Sequence, residues 1–261
     1  MADFEHILWE KRGQVGILTI NRPEKMNAIA PQTSHEMHQA WEDFRTDDNL
    51  RVAILIGAGE RAFSAGNDLV AMAQAGGGAI HGAVTAPFGG FTKRWECWKP
   101  IIGAINGYCL AGGMEMALAC DIRIAAEHAT FGQPEVQRAI IPGAGGCVRL
   151  PRYIPMAYAA EILLVGDRID AETALRAGIV SRVVPKQKLM ETALAMAEAI
   201  CKRGPVAVRY SKEVMYRSLD MSMPAAFAFE DRMEQLVLHT DDAKEGPRAF
   251  AEKREPQYKG R

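Results

Sequence analysis

The stretch PIIGAINGYCLAGG, residues 100 to 113, passes without a break into MEMALACD and then IRIAA. Short apolar runs bounded by glycine read as buried strands, and the apolar segment between them is long enough for a short helix. That order constrains the chain to an α/β architecture. A similar unit precedes it: a helix beginning at Thr33 or Ser34, either of which can cap it, carries Met37, Trp41 and Phe44 at helical spacing and leads to the strand-like RVAILIGAG. Before that, HILWEK and QVGILTI flank Arg12 and Gly13 as a hairpin. Beyond about Pro185 the pattern turns helical only, with one stripe of Leu189, Ala193, Ala197 and Ile200 stopped by Gly204 and Pro205, and another of Phe229, Met233 and Leu236. No sequence repeat stands out.

At 261 residues the chain can bury a full core, and its 31 basic against 32 acidic residues are dispersed. Such balance argues against nucleic acid as main partner. The start MADFEHILWEKRG lacks a basic region followed by an apolar one, and no apolar run approaches a membrane span, so a soluble cytoplasmic protein is expected. The five cysteines, Cys97, Cys109, Cys120, Cys147 and Cys201, show no metal-type pairing and are expected to pack mostly as small hydrophobes. His35 and His38 lack a third ligand nearby and read as a solvated face; no metal is expected. The glycine-rich residues 73 to 90 read either as a mobile loop near a pocket or as a plain surface insertion.

Chemistry concentrates in residues 106 to 146. Glu115 stands between Met114 and Met116 in an apolar helix, where an unpaired carboxylate costs several kcal/mol unless it serves a purpose. Its alternative is a surface glutamate. The preceding Ala111, Gly112 and Gly113 favour a ligand approaching the backbone, where helix-start amides stabilise an anion. Glu135 follows Pro134 and is either a held side chain or an ordinary first-turn glutamate. Two carboxylates in unlike surroundings can divide the roles of acid and base.

Residues 106 to 146, with NRPEKMNAI, FSAGNDL and IPGAGG in order around them, resemble the signature of the crotonase (enoyl-CoA hydratase/isomerase) superfamily over nearly the whole chain. The resemblance implies a spiral of repeated ββα units over residues 1–195, binding acyl-CoA, and a C-terminal helical trimerisation region over 196–261. It implies a thioester oxygen held by the backbone amides of Asn67 and Gly112. Glu115 and Glu135 match both glutamates of the family's hydratases, with Glu115 as base toward water attacking C3, Glu135 delivering a proton to C2, and Gly143 helping to position the water. CoA contacts are implied for Lys25, Met26 and Ala28, for Ala65, Gly66, Asp68 and Leu69, and, from a neighbouring subunit, for Phe250 and Lys253. Lys25 reads equally as a solvated turn lysine.

The expected activity is therefore reversible hydration of a 2-enoyl-CoA by a homotrimer or a dimer of trimers, with coenzyme A as part of the substrate and no metal or redox cofactor. An enoyl-CoA isomerase, which can use a carboxylate at the position of Glu135 alone, a hydrolase, and a carnitinyl-CoA-type dehydratase, whose tail this chain's resembles, are the alternatives; a non-catalytic binding protein, including one for RNA, is disfavoured. The chain departs from many hydratases at Asn67, where alanine is common, and at Arg138–Ala139, in place of an apolar residue and glycine. A polar Asn67 suits a substituted or hydroxylated acyl chain.

Overall fold

The computed structural model describes residues 4–74, 86–93 and 97–261, so most of the expected 73–90 loop lies outside the described residues. The chain opens with the hairpin β1 (Ile7–Arg12) and β2 (Val15–Ile20), followed by α1 (Pro31–Thr46) and β3 (Val52–Gly57). Neither Thr33 nor Ser34 caps α1: the helix starts two to three residues earlier at Pro31, whose fixed φ suits a first position, and the Thr33 hydroxyl accepts from the Ala30 amide at 3.3 Å. There follow β4 (Ala62–Ser64), α2 (Leu69–Gln74), β5 (Ile101–Ile105), β6 (Tyr108–Leu110), α3 (Gly112–Ala119), β7 (Ile122–Ala126) and β8 (Thr130–Gly132). After a 3₁₀ turn over Pro134–Arg138 come α4 (Gly146–Tyr153), α5 (Met156–Leu164), β9 (Ile169–Asp170), α6 (Ala171–Ala177) and β10 (Arg182–Val184). The rest is helical: α7 (Leu189–Cys201), α8 (Pro205–Arg217), α9 (Met223–Leu238) and α10 (Asp241–Ala251).

A structural repeat that the sequence hid emerges from the pairing. The strands form two sheets, in the orders β1-β2-β3-β5-β7-β10 and β4-β6-β8-β9. Each successive unit lays its first strand (β3, β5, β7) parallel in the large sheet and its second (β4, β6, β8) parallel in the small one. This is the expected spiral. The units share geometry without sharing sequence because a buried strand asks only for apolar residues that fit its place in the core.

Side chains alternate across the large sheet. Val52, Ile54, Ile102, Ala104, Ile124 and Ala126 face a core closed by Leu189, Ala193 and Ala197 of α7, while Ala53, Leu55, Ile101 and Ile105 face the larger core with Phe44, Phe63, Met116 and Phe131. Residue 195 falls inside α7, which packs on the sheet, so the helical appendage begins with α8 rather than at 196. It is tied down by Lys212 to Asp121 at 2.8 Å and by Arg51, which donates to the Tyr258 carbonyl at 2.8 Å. Among the described residues no helix is long and apolar enough to cross a membrane. Cys109 and Cys120 are buried, Cys97 and Cys201 half-buried, and Cys147 is exposed, contrary to a mostly buried set.

Candidate active site

The α3 helix starts where three backbones crowd together. Ala111 precedes it at φ 51°, a region costly for a residue with a side chain. A Cβ on Gly113 would stand 2.1 Å from the Ser64 carbonyl of β4, so only glycine lets the helix start this close to the small sheet. Gly112 is the first helical residue, and its N–H has no acceptor within the helix. Beside it runs the 65–68 segment: Ile29 donates to Gly66 at 2.8 Å and its carbonyl accepts from Asp68 at 3.1 Å. That parallel bridge turns the Asn67 amide away from the Ile29 side. Gly66, at φ 90°, lies against the Gly112 nitrogen. The structure thus brings Asn67 and Gly112 to one place, and among the described residues neither backbone N–H has an acceptor, as donors that stabilise an oxyanion require.

One turn into α3, Glu115 is 3% exposed. Its Oε1 accepts from the Ala144 amide at 2.7 Å and the Gly146 amide at 2.8 Å. Burial raises its carboxyl above the ordinary value, against the pull of those two amides, Arg149 and Lys93. The surface alternative is therefore excluded. Sequence reasoning missed the two amides, although the glycines of IPGAGG were the available signal; Gly143, singled out instead, is exposed beside them.

Glu135 opens the 3₁₀ turn after Pro134 and is 7% exposed. Its carboxyl is pushed up to about 7, chiefly by burial, with the nearby Glu115 charge adding to it and Arg138 opposing. One end of the Gln133 carboxamide lies 3.0 Å from both carboxyl oxygens of Glu135, where it can face that group in either amide orientation. Gly146 joins the two glutamates: its amide holds Glu115, and a Cβ on it would lie 2.8 Å from the Gln133 side chain. Two buried carboxyls, one held on two backbone amides and one with its proton retained near neutrality, can move protons in opposite directions across a bound substrate.

The remaining expected contacts fall around this centre with mixed results. Lys25 is exposed, Met26 half-buried at φ 54°, and Ala28 buried, in a turn just past the end of β2. Asn27, which sequence reasoning passed over, organises that turn: its Nδ2 donates to the carbonyls of Ala58 and Ala62 at 2.9 and 2.7 Å, and its Oδ1 accepts from the Arg22 amide at 3.0 Å. Asp68 does not offer a free carboxylate. It pairs with Arg22 at 3.0 Å and caps α2 by accepting from the Ala71 amide at 3.2 Å. Ala65 is half-buried and Leu69 exposed. Phe250 and Lys253 are exposed on α10 and just past it, and Lys253 adopts φ 52°. Among the described residues no cluster of three histidine, cysteine or acidic side chains is placed to hold a metal.

The profile of the enoyl-CoA hydratase/isomerase family matches residues 10–261. The chain belongs to that family. Among curated relatives, a carnitinyl-CoA dehydratase of Proteus mirabilis is 44% identical over 96% of this chain and 97% of its own, and one of Citrobacter koseri is 42% identical over 98% and 99%. Among solved structures, an enoyl-CoA hydratase from Mycobacterium tuberculosis superposes with a TM-score of 0.92 at 40% identity, covering 98% of this chain and 99% of that one. Enoyl-CoA hydratase/isomerase membership accounts for the ββα spiral and the helical C-terminal region; the relatives' names divide between dehydratase and hydratase, two directions of one elimination.

Proposed function

We propose that the protein reversibly adds and removes water across C2–C3 of an acyl-CoA thioester, with a polar 3-hydroxyacyl chain as its preferred substrate. The observation that carries this reading is Glu115, buried and held on the Ala144 and Gly146 amides, beside a Glu135 whose proton is retained to about pH 7. In the hydration direction Glu115 takes a proton from water as its oxygen attacks C3. Charge moves to the thioester oxygen at the amides of Asn67 and Gly112, and Glu135 returns a proton to C2. Dehydration runs the same steps backward. Electrons stay within substrate and water, so no oxidant or reductant takes part, and coenzyme A enters as part of the substrate.

Two carnitinyl-CoA dehydratase relatives above 40% identity support a chain bearing polar groups, and so does Asn67, which adds an amide at the thioester end. A plain 2-enoyl-CoA is the second reading, favoured by the M. tuberculosis hydratase structure. Steady-state rates with crotonyl-CoA and with an enoyl-CoA carrying a quaternary ammonium at C4 separate them. A kcat/KM higher for the cationic chain upholds the first reading; the reverse order replaces it with the second.

The same proposal includes a trimeric assembly. Met223, Phe227 and Leu238, exposed and spaced to lie along one side of α9, suit burial against another copy. Phe250 and Lys253 would then reach the neighbour's coenzyme A. Sedimentation equilibrium showing a monomer at micromolar concentration would remove this part of the account.

A further inference from the structure

Arg149 lies on α4 and is 8% exposed. Its Nη2 donates to the Thr92 carbonyl at 2.6 Å and its Nη1 to the Ala144 carbonyl at 3.4 Å. Each carbonyl belongs to a different half of the site. Ala144 turns its amide to Glu115. The Thr92 hydroxyl closes the 88–92 segment by donating to the Phe88 carbonyl at 2.8 Å, and the Phe88 ring covers Gly112 so closely that a Cβ there would stand 2.4 Å from it.

We infer that Arg149 is a positioning residue for water addition, its guanidinium locking the turn that cradles Glu115 to the segment whose Phe88 ring packs against Gly112. This rests on the reading of Glu115 as the group that handles water. The turn itself is shaped around the guanidinium: Gly145, at φ 118°, would bring a Cβ to 2.1 Å from Nη1, so glycine is required both for its backbone angle and for room. A planar fork suits two carbonyls at fixed separation, whereas an ammonium is a single flexible point. The cation also faces Glu115 electrostatically. Among the described residues, the titratable groups around that carboxylate are Arg149 and Cys147 from α4, Glu135 from the 3₁₀ turn and Lys93 after the Phe88–Thr92 segment; the rest of α3 is apolar.

The test is the pH profile of Arg149→Met and Arg149→Lys, with Glu115→Gln run alongside. For a folded Arg149→Met, kcat should fall roughly 10- to 100-fold with KM changed less than about threefold, as expected when reacting groups lose register. The acid limb of kcat/KM should move to higher pH, because Glu115 loses a neighbouring cation. Arg149→Lys should keep the acid limb in place and still lose at least about threefold in kcat. Wild-type kcat in either variant, or a reduced kcat in Arg149→Met with an unmoved acid limb, overturns the inference. If Arg149→Met does not fold, Arg149→Lys decides by the same kcat criterion. Full activity in Glu115→Gln would instead strike the functional reading itself.

Discussion

A side-chain carbon placed on Gly66 would stand 2.8 Å from the amide nitrogen of Gly112. The two donors assigned to the thioester oxygen are thus brought together by the absence of a single Cβ. Gly66→Ala is expected to cost on the order of 1–2 kcal/mol from its φ of 90° and to lower kcat by about 100-fold, since loss of one oxyanion donor has that scale. Circular dichroism melting checks the first part and initial rates the second. A variant of normal rate would show that the Gly112 amide is not used.

Glu135 links activity, stability and pH. Its native carboxyl is raised from 4.5 to about 7, mainly by burial, so the folded chain holds this proton more tightly than the unfolded one. That stabilisation is complete below about pH 4.5 and is lost as pH rises through about 7. Glu135→Gln should therefore melt higher than wild type at pH 8, by about 1–3 kcal/mol, with the difference vanishing near pH 4. Hydration and dehydration both need one proton shared between Glu115 and Glu135, so kcat/KM in both directions should decline together above about pH 7.

Arg22 and Asp68 form an ion pair whose side chains are each 12% exposed. Burial works against ionisation of Asp68, but the Ala71 amide and the Arg22 guanidinium overcome it and hold the carboxyl below its usual range. Arg22 also donates to the Ala28 carbonyl at 2.6 Å, so the pair clamps the 22–28 turn to the 65–68 segment. Removing either partner should destabilise by about 2–4 kcal/mol, with a coupling of about 1–3 kcal/mol in a double-mutant cycle. Urea denaturation of the four proteins measures it, and additive effects would contradict the clamp.

Much of this was legible in the sequence, and the failures share a cause. The strands, the glycine-led start of α3 and both glutamates carry local signals: apolar runs, breaks, and charge where burial makes it costly. What stayed hidden depends on distant partners. The Ala144 and Gly146 amides, the Gln133 carboxamide and the Arg149 fork acquire meaning only once α4 packs against α3, and the pairing of Arg22 with Asp68 spans 46 residues. The spiral itself was masked because its units agree in shape and not in residues.

Ala139 closes the Pro134–Arg138 turn at φ 55°, a conformation glycine adopts without penalty. The sequence departure at this position therefore carries strain. Ala139→Gly is expected to stabilise by up to about 1 kcal/mol and to leave kcat within about twofold, because the change relieves the backbone without touching Glu135. Thermal melting gives the sign, and a lower melting temperature would show the strain to be absent.

The most direct test follows the loss of 2-enoyl thioester absorbance on hydration, with crotonyl-CoA and a polar-chain enoyl-CoA, in wild type, Glu115→Gln and Glu135→Gln. The account predicts turnover of at least one substrate by wild type and a drop of about 10²- to 10⁴-fold in each folded variant. Wild-type protein that binds the thioesters without hydrating either, or a variant that keeps full rate, would contradict the two-glutamate mechanism.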